Sequence, residues 1–409
     1  MLPPQRETVK EGKTRLPISI FNLGGESMRH LGVSLLCILC LAAIGGCGGG
    51  GGGTSSGITI SDNPLPKEEL QSLLDNATAD GNIPGAILAI QTPSQTWLGA
   101  SGVADTQSGE QLDPSMEIRI GGITKMFTAA LILKLAEEGK LKLSDSVDYW
   151  LPGAMPNSGQ ITVAMLLNNT SGIFDHESAP EFLPRILGSP MQQWGENGVL
   201  DLSRGGVQRF SPGAAWQYCN TDYYILGAIA EAAGKDNVEN MMQNRFFGPL
   251  GMGRTRLTRA GLLWFPFAHG YCYNYVFGSL DDTSNWNWSW DWTSGSACTN
   301  APDMLIWTRA LFSGQVLGSA ALRQMITPAA PSANYGFGVY VRSTGPLGER
   351  QISQIGTNPG YYVYWAYLPQ SDRTVLLILT RQDTSGGAQV RTTDYANAIL
   401  ARLSDILHR

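Results

Sequence analysis

Hydrophobic positions in this chain fall into two kinds of run. Between positions 122 and 139 almost every residue is apolar, including Ile123, Met126, Phe127, Ala130, Leu131, Leu133 and Leu135. A segment with no polar face to offer water predicts a buried helix, and Gly139 is placed to end it. Residues 67–79 read as an opening helix. Residues 86–91 and 96–103 predict a strand pair around the turn Thr92-Pro93-Ser94. Residues 117–120 predict a short strand. From about 161 to 311 the pattern is mostly helical and rich in loops. Residues 335–342, 351–356, 361–368 and 374–380 read as closing strands, and 388–407 as a final helix.

Strands at both ends with a helical middle predict an α+β fold: one sheet built from the two termini, and an all-α lobe over about residues 160–311. One stretch departs from this pattern. Trp286, Trp288, Trp290 and Trp292 recur every second residue. In an extended segment that period puts all four on one face, and an aromatic face suits sugar rings or apolar ligands. Alternatively, the four pack their insert against the helical lobe.

Composition narrows the function classes. The chain has 409 residues, 43% hydrophobic and 15% charged, with a formal net charge of -6. That fits a globular body with a sizeable core. The acidic balance argues against nucleic-acid binding, and the absence of a Lys/Arg-rich run argues against an electrostatic membrane patch. No internal repeat is visible.

The N-terminal region carries a targeting pattern. Met28-Arg29-His30 precedes the apolar run 31–44, which leads into Gly45-Gly46-Cys47. A short positive start, an apolar stretch of this length and small residues before a cut predict a secretory signal. The run is too short to span a membrane. Ile44-Gly45-Gly46-Cys47 resembles a bacterial lipobox, which makes Cys47 the expected lipidated mature N-terminus. The alternative is an ordinary signal peptide with an incidental cysteine. Residues 1–27 carry no signal, so Met28 is the expected start. The glycine run 48–53 opens a segment rich in Gly, Ser and Pro that predicts a flexible tether up to residue 66. The expected domain is 67–409. Cys219, Cys272 and Cys298 remain; an envelope compartment permits disulfides, and the expected pair is Cys272 with Cys298, which flank one loop-rich insert.

The chemistry-bearing motifs sit in the domain. Arg119-Ile120-Gly121-Gly122-Ile123-Thr124-Lys125 resembles the Ser-x-x-Lys segment of the penicillin-recognising serine hydrolases, with Gly122 where that pattern has serine. Leu166-Leu167-Asn168-Asn169-Thr170-Ser171-Gly172 resembles Leu-Leu-x-His-Thr-Ser-Gly, with Asn169 in place of histidine. Tyr218-Cys219-Asn220 matches Tyr-x-Asn. Ser294-Gly295 stands where a small-residue turn is found. Gln354-Ile355-Gly356-Thr357 occupies the place of a Lys/His-x-Gly strand motif. The order and spacing resemble the class C β-lactamase and D-alanyl-D-alanine carboxypeptidase family over roughly residues 67–405.

The resemblance implies a β-lactamase/DD-peptidase-like fold, with an antiparallel sheet flanked by helices. It also implies acyl transfer through a serine. A lysine one turn into a buried helix is disfavoured as a cation and can take a proton, a tyrosine shares proton transfer, and an asparagine fixes the lysine and the substrate amide. Carried over, Lys125, Tyr218 and Asn220 are retained. The backbone N–H groups of Gly122 and Thr357, with Gly356 before it, would form the oxyanion hole. The nucleophile is not retained, because Gly122 has no side chain. Gln354 is neutral and cannot bring charge to a substrate carboxylate.

Plainer readings stand beside these. Lys125 could be an ordinary helix lysine, although few lysines sit on so apolar a helix, and Tyr218 and Asn220 could be loop packing. Gly122 could reflect a single-base change, but the second departure at Gln354 points to divergence. Cys219 could replace the nucleophile. His176, beside Asp175, could serve a Ser–His pair, but a surface histidine is expected. His269 reads as structural. The expected protein is an envelope lipoprotein with an impaired hydrolase site that binds a peptidoglycan stem peptide, another acyl ligand or a protein partner. The rivals are a working hydrolase with another nucleophile or an activated water, and a structural envelope protein. No metal or cofactor is expected, and contact with the membrane is expected through the lipid anchor alone.

Overall fold

The structure is a computed structural model that describes residues 64–274, 279–332, 334–383 and 391–409. The signal, Cys47, the tether up to residue 63 and the first residues of the expected final helix lie outside these. Among the described residues there are ten strands: β1 (Gly85–Gln91), β2 (Thr96–Gly102), β3 (Ile118–Arg119), β4 (Tyr271–Asn274), β5 (Ser279–Asp282), β6 (Cys298–Thr299), β7 (Tyr340–Arg342), β8 (Gln351–Asn358), β9 (Tyr361–Leu368) and β10 (Arg373–Leu379). Six form one sheet in the order β2-β1-β10-β9-β8-β7, and every neighbouring pair is antiparallel. β1 pairs with β10, Ala86 opposite Leu379, so the two ends of the domain meet at the centre of the sheet.

Both faces of the sheet are covered, which is why β1 and β10 read as unbroken apolar runs. One face packs on the helices Lys67–Thr78 and Thr392–Leu407 through Leu70, Leu74, Leu400 and Leu403. The other packs on Thr124–Glu137 and Ala301–Phe312, where Trp365 Nε1 donates to Thr308 Oγ1 at 2.8 Å. The lobe expected between 160 and 311 contains the helices Glu196–Arg204 and Asn220–Gly234. Among the described residues no helix is long and apolar enough to cross a membrane.

The expected elements recur with three differences. First, Tyr335 to Val339 is no strand: Gly336 N bonds Val339 O, and Gly338 takes a left-handed φ of +74°, so the chain turns before β7. Second, the expected Cys272–Cys298 disulfide is not formed; Cys219, Cys272 and Cys298 are buried thiols. Cys272 is held opposite Asp281 in the β4–β5 ladder and Cys298 opposite Arg119 in the β3–β6 ladder.

Third, the four tryptophans do not line an extended face. Their segment is a series of turns, with Trp286 N bonding Thr283 O, Asp291 N bonding Trp288 O, and a helical turn over Trp292–Gly295. All four are buried. The Trp290 ring meets Phe182, and the Trp292 ring meets Tyr224 at 5.2 Å between centroids. Trp292 also carries the Arg259 guanidinium over its face and donates through Nε1 to Glu239. They pack the insert against the lobe.

Candidate active site

The buried helix Thr124–Glu137 is preceded by a tight turn, Gly121–Ile123. Its polar residues are not scattered. Thr124 Oγ1 accepts from Ala297 N at 3.1 Å, and Thr128 Oγ1 donates to Thr293 O at 2.7 Å. These bonds fix the helix to the turn Trp292–Gly295. Thr293 Oγ1 in turn donates to Tyr223 O on the helix Asn220–Gly234. Gly227 allows that helix close, since a Cβ there would fall 2.4 Å from Thr293 Oγ1. Three elements therefore meet around the one residue between Thr124 and Thr128 that carries a long charged chain.

That residue is Lys125, with no solvent exposure. Its Nζ donates to Asn220 Oδ1 at 2.5 Å and to Ser294 O at 2.9 Å. It lies 4.7 Å from the centroid of the Tyr218 ring and 5.6 Å from that of Tyr223. Burial pushes the Lys125 pKa down, while the carboxyls of Asp291, Glu177 and Asp175 oppose that shift.

Gly122 lies one turn before it. A Cβ placed on Gly122 would stand 2.7 Å from the Tyr218 hydroxyl, 3.0 Å from Ile355 O and 3.9 Å from Lys125 Nζ. The space beside Gly122 is thus taken by the Tyr218 hydroxyl and by β8. β8 comes this close because of glycines: a Cβ on Gly356 would fall 1.8 Å from Ile120 O. Gly121 has φ +48°, and a Cβ on it would fall 2.8 Å from Thr357 N. Tyr218 and Ile355 are partly exposed and Thr357 is exposed, so the group reaches solvent above a buried floor.

Gln354 is turned into the fold. Its Nε2 donates to Gly338 O at 2.8 Å and to the Tyr335 hydroxyl at 3.5 Å, and its Oε1 accepts from Ile355 N. Asn169 has a left-handed φ of +58° and donates to Cys219 O and Asp222 Oδ2, tying the loop after Leu167 to the start of the Asn220 helix. The Cys219 thiol is buried against Ile173 O, and burial raises its pKa well above that of a free thiol, which disfavours the thiolate.

His176 corrects an expectation. It is fully buried, not on the surface, and its Nδ1 bonds Thr221 Oγ1 at 3.0 Å. Burial, and then the charge of Lys125, lower its pKa to about 3, so it stays neutral. His269 bonds Asp282 at 2.7 Å on the β4–β5 hairpin, a structural place.

Sequence reasoning missed a group of acids. Asp175 Oδ2 accepts from Asn220 Nδ2 at 3.4 Å. The Glu177 and Asp291 carboxyls lie near enough to act on each other and on Lys125. Asp291 also accepts from Ser294 Oγ at 2.6 Å and from Asn358 Nδ2 at 3.4 Å. Gly295 is required beside it, because a Cβ there would fall 2.0 Å from Asp291 Oδ2. Burial raises the pKa of all three carboxyls, that of Asp175 to about 6. One signal was available: Asp291 is a lone acid inside a buried aromatic run.

Residues 70–400 match the model of the beta-lactamase family, described as Beta-lactamase. Penicillin-binding protein 4* of Bacillus subtilis (strain 168) is 25% identical over 365 residues, covering 83% of this chain and 76% of that protein. The solved structure of a D-stereospecific amidohydrolase from Streptomyces sp. superposes with a TM-score of 0.69 at 26% identity, covering 77% of this chain and 94% of that one. The D-amino acid amidase of Ochrobactrum anthropi SV3, complexed with D-phenylalanine, superposes with a TM-score of 0.72 at 24% identity over 84% and 99% of the two chains and shares the fold. With its six-stranded antiparallel sheet, its helical lobe and a family match across nearly all of the described domain, the chain belongs to the beta-lactamase family.

Proposed function

We propose that this protein is an exported lipoprotein of the bacterial envelope whose site binds an acyl or peptide ligand, such as a peptidoglycan stem peptide, and is impaired in acyl transfer. Gly122 stands in the nucleophile slot. Lys125, Tyr218 and Asn220 keep the proton-handling places, and the Gly122 and Thr357 N–H groups the oxyanion place. The observation that carries this reading is the packing at Gly122. A side chain at 122 would bring its Cβ to 2.7 Å from the Tyr218 hydroxyl, which would have to move, and this supports a site that works with glycine there. Gln354 supports the same reading, since its donors are engaged by Gly338 and Tyr335 and it brings no charge.

Loss of a nucleophile removes most of the rate and leaves roughly 10³–10⁴-fold over water from oxyanion stabilisation and binding. Purified protein should therefore turn over an activated ester reporter slowly, without a burst. Rapid turnover that Lys125→Ala abolishes would favour a working hydrolase with another nucleophile or an activated water.

Anchoring is proposed at Cys47, from the apolar run that ends in Gly45-Gly46-Cys47. Cys47→Ala should move the protein from the membrane fraction to the soluble fraction. A wild-type protein that is itself soluble and uncleaved would contradict the targeting reading.

A further inference from the structure

Residues 260–268 read Ala-Gly-Leu-Leu-Trp-Phe-Pro-Phe-Ala, with no hydrogen-bonding side chain except the indole of Trp264. Loops that face water are ordinarily polar. This one faces water with its largest apolar groups: Leu262 is 53% exposed, Trp264 57% and Phe265 77%. Among the described residues, Trp264 alone of the eleven tryptophans is exposed, the others being buried or half-buried. Exposed apolar groups gathered in this way mark an interaction surface.

The loop's backbone is held by the protein. Leu262 O accepts from Arg256 Nη2 at 2.8 Å, and Phe265 O accepts from Arg254 Nη1 at 3.0 Å. Trp264 N donates to the buried Glu117 carboxyl at 3.1 Å, and Pro266 O accepts from Glu117 N at 3.1 Å. Arg256 also pairs with Glu117 and lies over the Trp264 ring, 3.8 Å from its centroid. These four backbone groups have protein partners, so the apolar side chains can leave water without stranding them.

Size and tether choose the occupant. The three side chains offer on the order of 300 Å², well under the roughly 800 Å² per partner of a standard protein interface. A lipid surface needs less from a chain already held to it, and tryptophan is enriched at membrane–water interfaces. The hold comes from the chain before the domain. Sixteen residues, 48–63, follow Cys47, and Leu65 N bonds Gln95 Oε1 at the turn between β1 and β2. The loop lies toward the other end of β2, where Phe267 bridges Glu117 and His269 N bonds Ala104 O. From Thr96 to Ala104 is about 30 Å of extended chain. A Gly- and Ser-rich segment of that length spans about 20–24 Å as a coil and at most about 55 Å. Cys47 and the loop therefore reach one plane.

We propose that Leu262, Trp264 and Phe265 enter the lipid surface to which the chain is anchored. This rests on the anchoring at Cys47 proposed above, and it adds a second contact to the one expected through the lipid anchor alone. Two of the arginines beside the loop are paired with acids, Arg256 with Glu117 and Arg259 with Glu231. The contact is therefore apolar and does not require anionic lipid.

Trp264 is its own probe. The purified full chain is mixed with excess phosphatidylcholine vesicles, either plain or with brominated acyl chains, which quench a tryptophan that touches them. Residues 1–63 hold no tryptophan, so neither the anchor nor the apolar run before it adds to the signal. Wild-type emission should fall on brominated vesicles. Trp264→Phe should lose that quenching while staying on the vesicles, and Leu262→Ser combined with Phe265→Ser should lose most of it with an unchanged circular dichroism spectrum. No quenching of the wild type, equal quenching in Trp264→Phe, or quenching unaffected by the two serines would overturn the proposal. A concentration-dependent dimer that Phe265→Ser abolishes, without quenching, would assign the loop to a second copy of the chain instead. Fractionation of Cys47→Ala reads the anchor separately: if it leaves the protein on the membrane while the quenching stands, the anchoring reading fails and the loop remains a lipid contact.

Discussion

At the scale of single residues, two positions govern the site. The first is Gly122. Restoring a serine is not a simple addition, since its Cβ would meet the Tyr218 hydroxyl at 2.7 Å and Ile355 O at 3.0 Å. The tyrosine must swing aside before Lys125 can act on a new hydroxyl. Gly122→Ser should gain slow labelling by a fluorophosphonate, much slower than a serine hydrolase with its tyrosine already placed, and intact mass over time would show it. The second is Glu177, whose carboxyl pKa is raised first by burial and then by Asp291 and Asp175. A raised carboxyl stabilises the fold below its unfolded pKa, and that contribution is lost as pH rises through the folded value. Glutamine has no proton to lose. The stability of Glu177→Gln relative to wild type should therefore grow as pH rises above the ordinary glutamate pKa, read as urea midpoints; a flat difference would show that the fold does not raise the Glu177 pKa.

At the scale of elements, the site depends on a strand passing unusually close to a helix start. β8 reaches Ile120 and Gly121 only because Gly356 lacks a Cβ, which would fall 1.8 Å from a backbone oxygen with no freedom to rotate away. Gly356→Ala should cost about 1–3 kcal/mol, as overpacking does, and a chemical denaturation midpoint unchanged from wild type would contradict the close approach. This scale also shows what the sequence could and could not reveal. The Lys125 helix is legible because it is apolar all round, and β1, β9 and β10 are legible as apolar runs bounded by turn residues. The tryptophan segment is not: spacing by two occurs in consecutive turns as well as in strands, and burial by Phe182, Tyr224 and Arg259 is a tertiary fact. His176 was misread for a related reason. Its neighbours Asp175, Glu177 and Ser178 look like a surface turn, yet the lobe closes over it. The acid cluster joins positions more than a hundred residues apart, and its one local trace is Asp291 within the tryptophan run.

At the scale of the whole molecule, the sheet joins the two ends of the domain. β1 lies between β2 and β10, and the opening and closing helices cover one face together. The other face carries the Lys125 helix, so the site is set by packing between the sheet and the lobe. This arrangement holds Lys125, Tyr218 and Asn220 together beside Gly122. The account's central claim is that the chemistry stops at Gly122, and intact-protein mass after incubation with a labelled penicillin or fluorophosphonate tests it most directly. The account predicts an unchanged mass for the protein as it stands. A stoichiometric adduct, mapped by peptide mass to Cys219 or to any other residue, would contradict it.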